Sequence, residues 1–226
     1  MRETALAIFR TLTTSLGVIK DSLVGATPEK HDQRMHDWAR YLIERAQIQV
    51  AVSGEPVDWS RTYIVMSNHQ SHFDIPVIVR AVPGRMRMVA KKELFYVPIF
   101  GQAIRAAGFV EIDRRNREKA IASLKLAGEK IRQGTNIWIA PEGTRSLTGK
   151  LGPLKKGGFM LAKEVGAPIL PMAIVGTREI LPPKTRSIRR GKTVRVVFGK
   201  PIDPADKTPG EMMDEVRRFL AKHLPG

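Results

Sequence analysis

From residue 48 onward, short apolar runs alternate with segments of helical spacing, and this alternation limits the possible folds more than any other feature. "IQVAVSG" (48–54), "TYIVMS" (62–67), "RMRMVA" (85–90), "FVEI" (109–112), "NIWIA" (136–140), "PILPMAIV" (168–175) and "TVRVVFG" (193–199) read as strands. Between them, "NREKAIASLKLAGEKIRQG" (116–134) has amphipathic spacing, with Asn116 as its cap and Gly134 as its stop. "DIPVIVRAV" (74–82) is a helix start or a buried segment. The last helix opens with Thr208 as N-cap and Pro209 at the first helical position, and turns Met212, Val216, Phe219 and Leu220 inward. The expectation is an α/β fold: a mixed or mostly parallel sheet of about seven strands flanked by helices.

Ahead of this pattern lie two helical stretches. In residues 4–24, Ala5, Ile8, Phe9, Leu12, Leu16, Ile19 and Leu23 recur at steps of three and four and form one apolar stripe. The rest of that helix is mostly small and polar. A second helix runs from about 29 to 47, with Met35, Trp38, Leu42 and Ala46 as its apolar face and Arg34, Arg40 and Arg45 beside it. Gly25 and Pro28 break the chain between them. Residues 1–47 are therefore expected to be an amphipathic helical hairpin and 48–226 an α/β domain. The hairpin either packs on the core or lies in a membrane interface, stripe down and arginines among the headgroups.

Charge points outward too. Against 22 acidic residues stand 38 Lys and Arg, a net charge of +16. Such a surplus implies a polyanionic partner: nucleic acid, an anionic membrane or phosphorylated substrates. Nucleic acid is the weakest of these. The chain has no zinc finger and no RNA-binding aromatic motif, and only three Trp and three Tyr for stacking. The longest run without a charged residue, "VGAPILPMAIVGT" (165–177), is too short to span a bilayer and carries two prolines. Arg10 interrupts the first apolar stretch, so it does not read as a signal peptide.

Several chemistries drop out on residue type. With no cysteine there is no disulfide, thiolate nucleophile or Cys-ligated metal. "GKT" (191–193) lacks the P-loop's opening glycine, because Arg186 stands there. No G-x-S-x-G elbow exists. His69, His72 and Asp74 lack zincin spacing, so no metal is expected.

The stretch "SNHQSHFD" (67–74) is more informative. Asp74 precedes Pro76, which fits only the first turn of a helix, so Asp74 reads as an N-cap. His69 lies in the strand-to-helix loop before it, at a sheet edge of the kind that binds ligands in α/β folds. A carboxylate anchored at a helix start can also accept an imidazole N–H and leave the other ring nitrogen as a base. Cap and orienter are compatible roles.

Downstream come "AKKELF" (90–95), "GFVEIDRRN" (108–116), "APEGTRS" (140–146) and "PILPMAI" (168–174). In this order the boxes resemble those of the glycerophospholipid acyltransferase family, most closely its 1-acyl-sn-glycerol-3-phosphate acyltransferases. The family's H-x-x-x-x-D box is similar to His69 through Asp74. Its second box, ending in Asp-Arg, is similar to Ile112, Asp113 and Arg114. Its Pro-Glu-Gly-Thr-Arg box matches Pro141, Glu142, Gly143, Thr144 and Arg145, and its apolar box around a proline is similar to Leu170 and Pro171.

The resemblance implies a glycerol-3-phosphate acyltransferase-like fold. It implies transfer of a fatty acyl group from acyl-CoA or acyl-carrier protein, as co-substrate and with no cofactor, to the sn-2 hydroxyl of lysophosphatidic acid. The product is phosphatidic acid. His69 would be the general base and Asp74 its orienter. Lys91 (or its neighbour Lys92), Arg114, Glu142, Gly143, Thr144 and Arg145 would bind the acceptor and its phosphate. Glu142 is expected to orient Arg145 or a substrate hydroxyl. Leu170 and Pro171, like "LFYVPIFGQAI" (94–104), line an acyl groove, dip into the membrane or belong to the core. The implied location is the cytoplasmic face of a membrane, peripheral or monotopic, on an anionic surface that the basic cluster at 185–195 would suit. Another lysolipid acceptor is the alternative.

Overall fold

The computed structural model describes residues 1–113 and 115–224. The seven strands are β1 (Gln49–Gly54), β2 (Ile64–Ser67), β3 (Met86–Lys91), β4 (Val110–Ile112), β5 (Asn136–Ile139), β6 (Ile169–Val175) and β7 (Thr193–Phe198). They form one sheet in the order β1-β7-β6-β2-β5-β3-β4. Every pairing is parallel except β6 with β7, so the sheet is mixed. The helices are α1 (Arg2–Leu23), α2 (Pro28–Arg45), α3 (Asp74–Ala81), α4 (Phe100–Ala106), α5 (Arg117–Arg132), α6 (Gly157–Val165), α7 (Thr177–Ile180) and α8 (Pro209–His223), with a 3-10 turn at Lys92–Tyr96.

Side-chain alternation divides the core in two. Val65, Trp138, Leu170, Met172 and Ile174 point to the face covered by α2 and α3. Ile64, Met66, Ile137, Ile139 and Ile169 point to the face covered by α5, α6 and α8. Both faces of β2 and β5 are buried, which fits the uninterrupted apolar runs 64–66 and 137–139 within them. Leu170 belongs wholly to the core, and Pro171 is buried beside it on β6, opposite Met66 of β2.

The helix ends follow local chemistry. Asn116 accepts the Lys119 N–H at 3.0 Å and caps α5. Thr208 and Glu211 form a reciprocal capping box at α8.

Helix α1 is inside out. It packs on α2 and α4 through its small polar side. Thr11 accepts the Trp38 indole N–H at 3.0 Å, and Ser15, Val18 and Asp21 are buried. Gly17 makes this approach possible, since a Cβ there would stand 2.6 Å from the Arg34 guanidinium. Arg34 is paired with Asp21, and Arg45 donates to Glu3 at 3.2 Å. These two arginines therefore tie the hairpin together; the expectation that they lie among headgroups is corrected. Meanwhile Ile8, Phe9, Leu12, Leu16 and Leu23 face outward, Phe9 with 66% and Leu23 with 83% of its surface exposed. Among the described residues no helix is long and apolar enough to cross a membrane.

Candidate active site

Strands β2, β3, β4, β5 and β6 run parallel, so their C-terminal ends share one edge of the sheet. Every sequence box except that of Leu170 and Pro171, which lies near the start of β6, sits on or just beyond one of those ends. His69 follows β2, Lys91 ends β3, Asp113 follows β4, and residues 141–145 follow β5. β2 lies between β5 and β6, where successive connections leave in opposite directions, the usual place for a ligand crevice.

The loop after β2 is held residue by residue. Asn68 extends the sheet with its side chain: its amide donates to Ile174 O and its oxygen accepts Ile174 N–H, both at 2.8 Å. The His69 N–H donates to Glu142 Oε1 at 3.1 Å, and His69 O accepts Ser146 N–H at 2.8 Å. Gln70 donates to Gly149 O at 2.7 Å and Ser71 Oγ to Leu181 O at 2.9 Å. The His69 ring meets Trp138 edge to face, centroids 5.5 Å apart. The Trp138 indole is itself fixed by donating to Ser67 Oγ at 2.9 Å.

Asp74 is fully buried, whereas the His69 side chain keeps 18% of its surface exposed. His69 Nδ1 lies 2.7 Å from Asp74 Oδ2. The same oxygen accepts the N–H of Gln70 at 2.7 Å and of Ser71 at 2.9 Å. Oδ1 accepts from the Thr177 hydroxyl. Backbone N–H groups can only donate, so Oδ2 acts as an acceptor and Nδ1 carries the hydrogen. The lone pair is then on Nε2, which no described residue hydrogen-bonds.

This arrangement corrects the N-cap reading of Asp74. Phe73 is already helical in conformation, Asp74 is the first residue of α3, and no side chain caps that helix. The carboxylate turns back onto the loop instead of forward onto α3. Within the same loop, Ser71 Oγ accepts the Phe73 N–H at 3.1 Å.

Residues 141–145 divide by task. Glu142 is buried, and its second oxygen accepts Gly152 N–H at 2.8 Å. Its carboxylate thus binds the backbone of His69 and of Gly152, which corrects the expectation that it orients Arg145. Gly143 adopts φ +75° and its N–H closes a turn onto Ala140 O. Thr144 is exposed and Arg145 half-buried; with Leu147, Pro183 and Lys184 they line a cavity of about 300 Å³. Arg145 forms no ion pair among the described residues, with Glu142 or any other carboxylate.

The two lysines separate as well. Lys92 is bound to Asp113 at 2.6 Å, while Lys91 is exposed and without an ion pair among the described residues. His72 is held down to about 4 by desolvation from the surrounding protein, then by the charge of Arg145, with His69 and Lys91 adding to it. Arg145 follows β5 and Lys91 ends β3, adjacent parallel strands, so both cations lie at the sheet edge that carries His69. Arg114 lies outside the described residues.

Sequence reasoning missed Trp138, Thr177 and Arg178. Arg178 donates to the carbonyls of Ser146, at 3.2 Å, and Leu147, at 2.6 Å. All three reach the site from strands or turns distant in sequence.

Comparison with known proteins identifies the family. The family described as "Acyltransferase" matches residues 49–175, more than half of the chain. The 1-acyl-sn-glycerol-3-phosphate acyltransferase of Saccharomyces cerevisiae is 36% identical over 184 residues, covering 78% of this chain and 60% of its own. The chloroplastic 1-acyl-sn-glycerol-3-phosphate acyltransferase BAT2 of Brassica napus is 33% identical over 163 residues, 71% of this chain and 46% of its own. The chain thus spans about half the length of the curated relatives it matches. The crystal structure of the 1-acyl-sn-glycerophosphate acyltransferase PlsC of Thermotoga maritima superposes with a TM-score of 0.74 at 26% identity, covering 97% of this chain and 95% of that one. The chain belongs to the acyltransferase family.

Proposed function

We propose that this protein acylates the sn-2 hydroxyl of 1-acylglycerol-3-phosphate, with acyl-CoA or acyl-carrier protein as donor, to form phosphatidic acid. The observation that carries this reading is the buried Asp74 carboxylate on His69 Nδ1, which leaves Nε2 without a partner among the described residues, at the sheet edge where Lys91 ends β3 and Arg145 follows β5. Nε2 takes the proton of the acceptor hydroxyl as its oxygen attacks the thioester carbonyl. The C–S bond breaks, and the departing thiolate recovers the proton from the imidazolium. A thioester is already activated, so a positioned base, worth typically 10²–10⁴-fold, suffices. Arg145 offers the acceptor phosphate a bidentate guanidinium, and Lys91 adds a point charge. No cofactor is required.

The outward stripe of α1 fits an interfacial location. An apolar row flanked by Arg2 and Lys20 seats in the headgroup boundary of an anionic membrane, on the cytoplasmic face where both donors are found. The names of the yeast, Brassica and Thermotoga proteins specify the same acceptor class.

The test is an acceptor panel in detergent or liposomes: lysophosphatidic acid, neutral and zwitterionic lysolipids and lyso-aminolipids, each with both donors. Turnover should be highest with lysophosphatidic acid, and His69→Ala should lower it by about 10²–10⁴-fold or more with an unchanged melting temperature. Preference for a lysolipid without a terminal phosphate would refute the acceptor assignment. Retained turnover in His69→Ala would refute the base.

A further inference from the structure

We propose that residues 176–181 are a positioning bracket for both halves of the site, with Thr177 acting through Asp74 on His69 and Arg178 acting through the loop that follows Arg145. The inference rests on the reading of His69 as base and Arg145 as phosphate ligand.

The bracket starts where β6 ends. Gly176 adopts φ +105°, and a Cβ there would meet Thr193 O at 2.6 Å, so the chain turns against β7 as only glycine allows. That turn delivers Thr177, fully buried, to Asp74. Asp74 Oδ2 is already fixed by two backbone amides and the imidazole. Oδ1 has one donor among the described residues, the Thr177 hydroxyl. Without it Oδ1 of a fully buried carboxylate has no donor, which favours rotation of the group toward another donor and draws Oδ2 off line from Nδ1.

One residue on, Arg178 spends its guanidinium on the carbonyls of Ser146 and Leu147, so it holds the segment just past Arg145. Its side chain also lies against Gly149, whose carbonyl binds Gln70. Leu181 O accepts the Ser71 hydroxyl, and Ile180 is buried as the anchor. Two adjacent side chains therefore reach different parts of the reaction, which predicts a kinetic signature that general destabilisation lacks.

The experiment compares Thr177→Val, Thr177→Ser and Arg178→Met in the full chain with lysophosphatidic acid and acyl-CoA. Thr177→Val should lower kcat on the order of tenfold or more while acceptor KM stays within about twofold. Thr177→Ser should restore kcat. Arg178→Met should raise acceptor KM with kcat near wild type, and should speed amide hydrogen exchange at residues 144–149 in the ligand-free protein. Wild-type kcat in Thr177→Val, no rescue by serine, or kcat and KM changing together in both variants would overturn the inference. His69→Ala tells its failure apart from failure of the base reading. If His69→Ala stays active the base reading falls, and the imidazole Nδ1–H resonance of Thr177→Val then decides the bracket alone. A shifted or exchange-broadened resonance supports it, and an unchanged one overturns it.

Discussion

His69 and Arg145 follow adjacent parallel strands, β2 and β5, yet their surroundings have little in common. Around His69, residues 68–71 are each bonded to a distant segment, and the partner carboxylate has four donors and no exposure. Around Arg145 the side chains are exposed or half-buried and line an open cavity, and the nearby Lys91 is unpaired among the described residues. The difference follows from what each half must do. Proton transfer needs one lone pair within hydrogen-bond reach and in line, and a displacement of an ångström is costly. A phosphate presents several equivalent oxygens and two charges, so its cations tolerate more variation in position than a base does. Hydrogen bonds are concentrated around the base, and positive charge around the phosphate subsite.

The contrast can be broken by variants on either side. Asp74→Asn should cost most. It sets an amide N–H₂ against a cluster of donors, so kcat should fall by about 10² or more, with about 1–3 kcal/mol lost from stability. Steady-state rates and thermal melts separate the two; a loss of activity accounted for by the melt alone would return Asp74 to a structural role. Arg145→Ala should act on acceptor KM, raising it by about ten- to a hundredfold from the loss of a charge-assisted pair, with kcat less affected. Lys91→Met should give a smaller change of the same kind, and Lys92→Met less again, because Lys92 is committed to Asp113.

Outside the site, Phe9→Glu with Leu16→Glu should reduce sedimentation with anionic liposomes but leave turnover of a short-chain monomeric acceptor unchanged. Equal sedimentation would remove α1 from the membrane interface. The smallest effect concerns the hairpin. The Arg34 hydrogen bond holds Asp21 down to about 2 from an ordinary 3.8. A depressed carboxyl stabilises the fold above its unfolded value, and that contribution is lost as pH falls from about 3.8 toward 2. Asp21→Asn should flatten the pH dependence of the melting temperature in that window, and an unaltered slope would exclude the pair as its cause.

What could be read from residues alone was local. The seven strands are apolar runs of the right length, and Asn116 and Thr208 cap helices through neighbours three residues away. The stripe on α1 was legible, but its direction was not, because the surface it avoids is built from Trp38 and Arg34 of another helix. Asp74 looked like a cap because Pro76 marks a helix start. Phe73 had already entered helical conformation, and that is a backbone fact no residue type announces. Glu142 was visible in its box, yet its partner His69 is 73 positions earlier. Thr177 is 103 positions from Asp74 and has no signal beyond standing after a strand. Long-range polar contacts depend on strand order, which composition and spacing do not encode.

The proposed chemistry depends on Asp74 holding His69 with its hydrogen on Nδ1 and its lone pair on Nε2. Nitrogen-15 NMR of the ligand-free protein, labelled at histidine, measures this directly. His69 should show a hydrogen-bearing Nδ1 and a bare Nε2, an arrangement lost in Asp74→Asn. A bare Nδ1 with the hydrogen on Nε2 would contradict it.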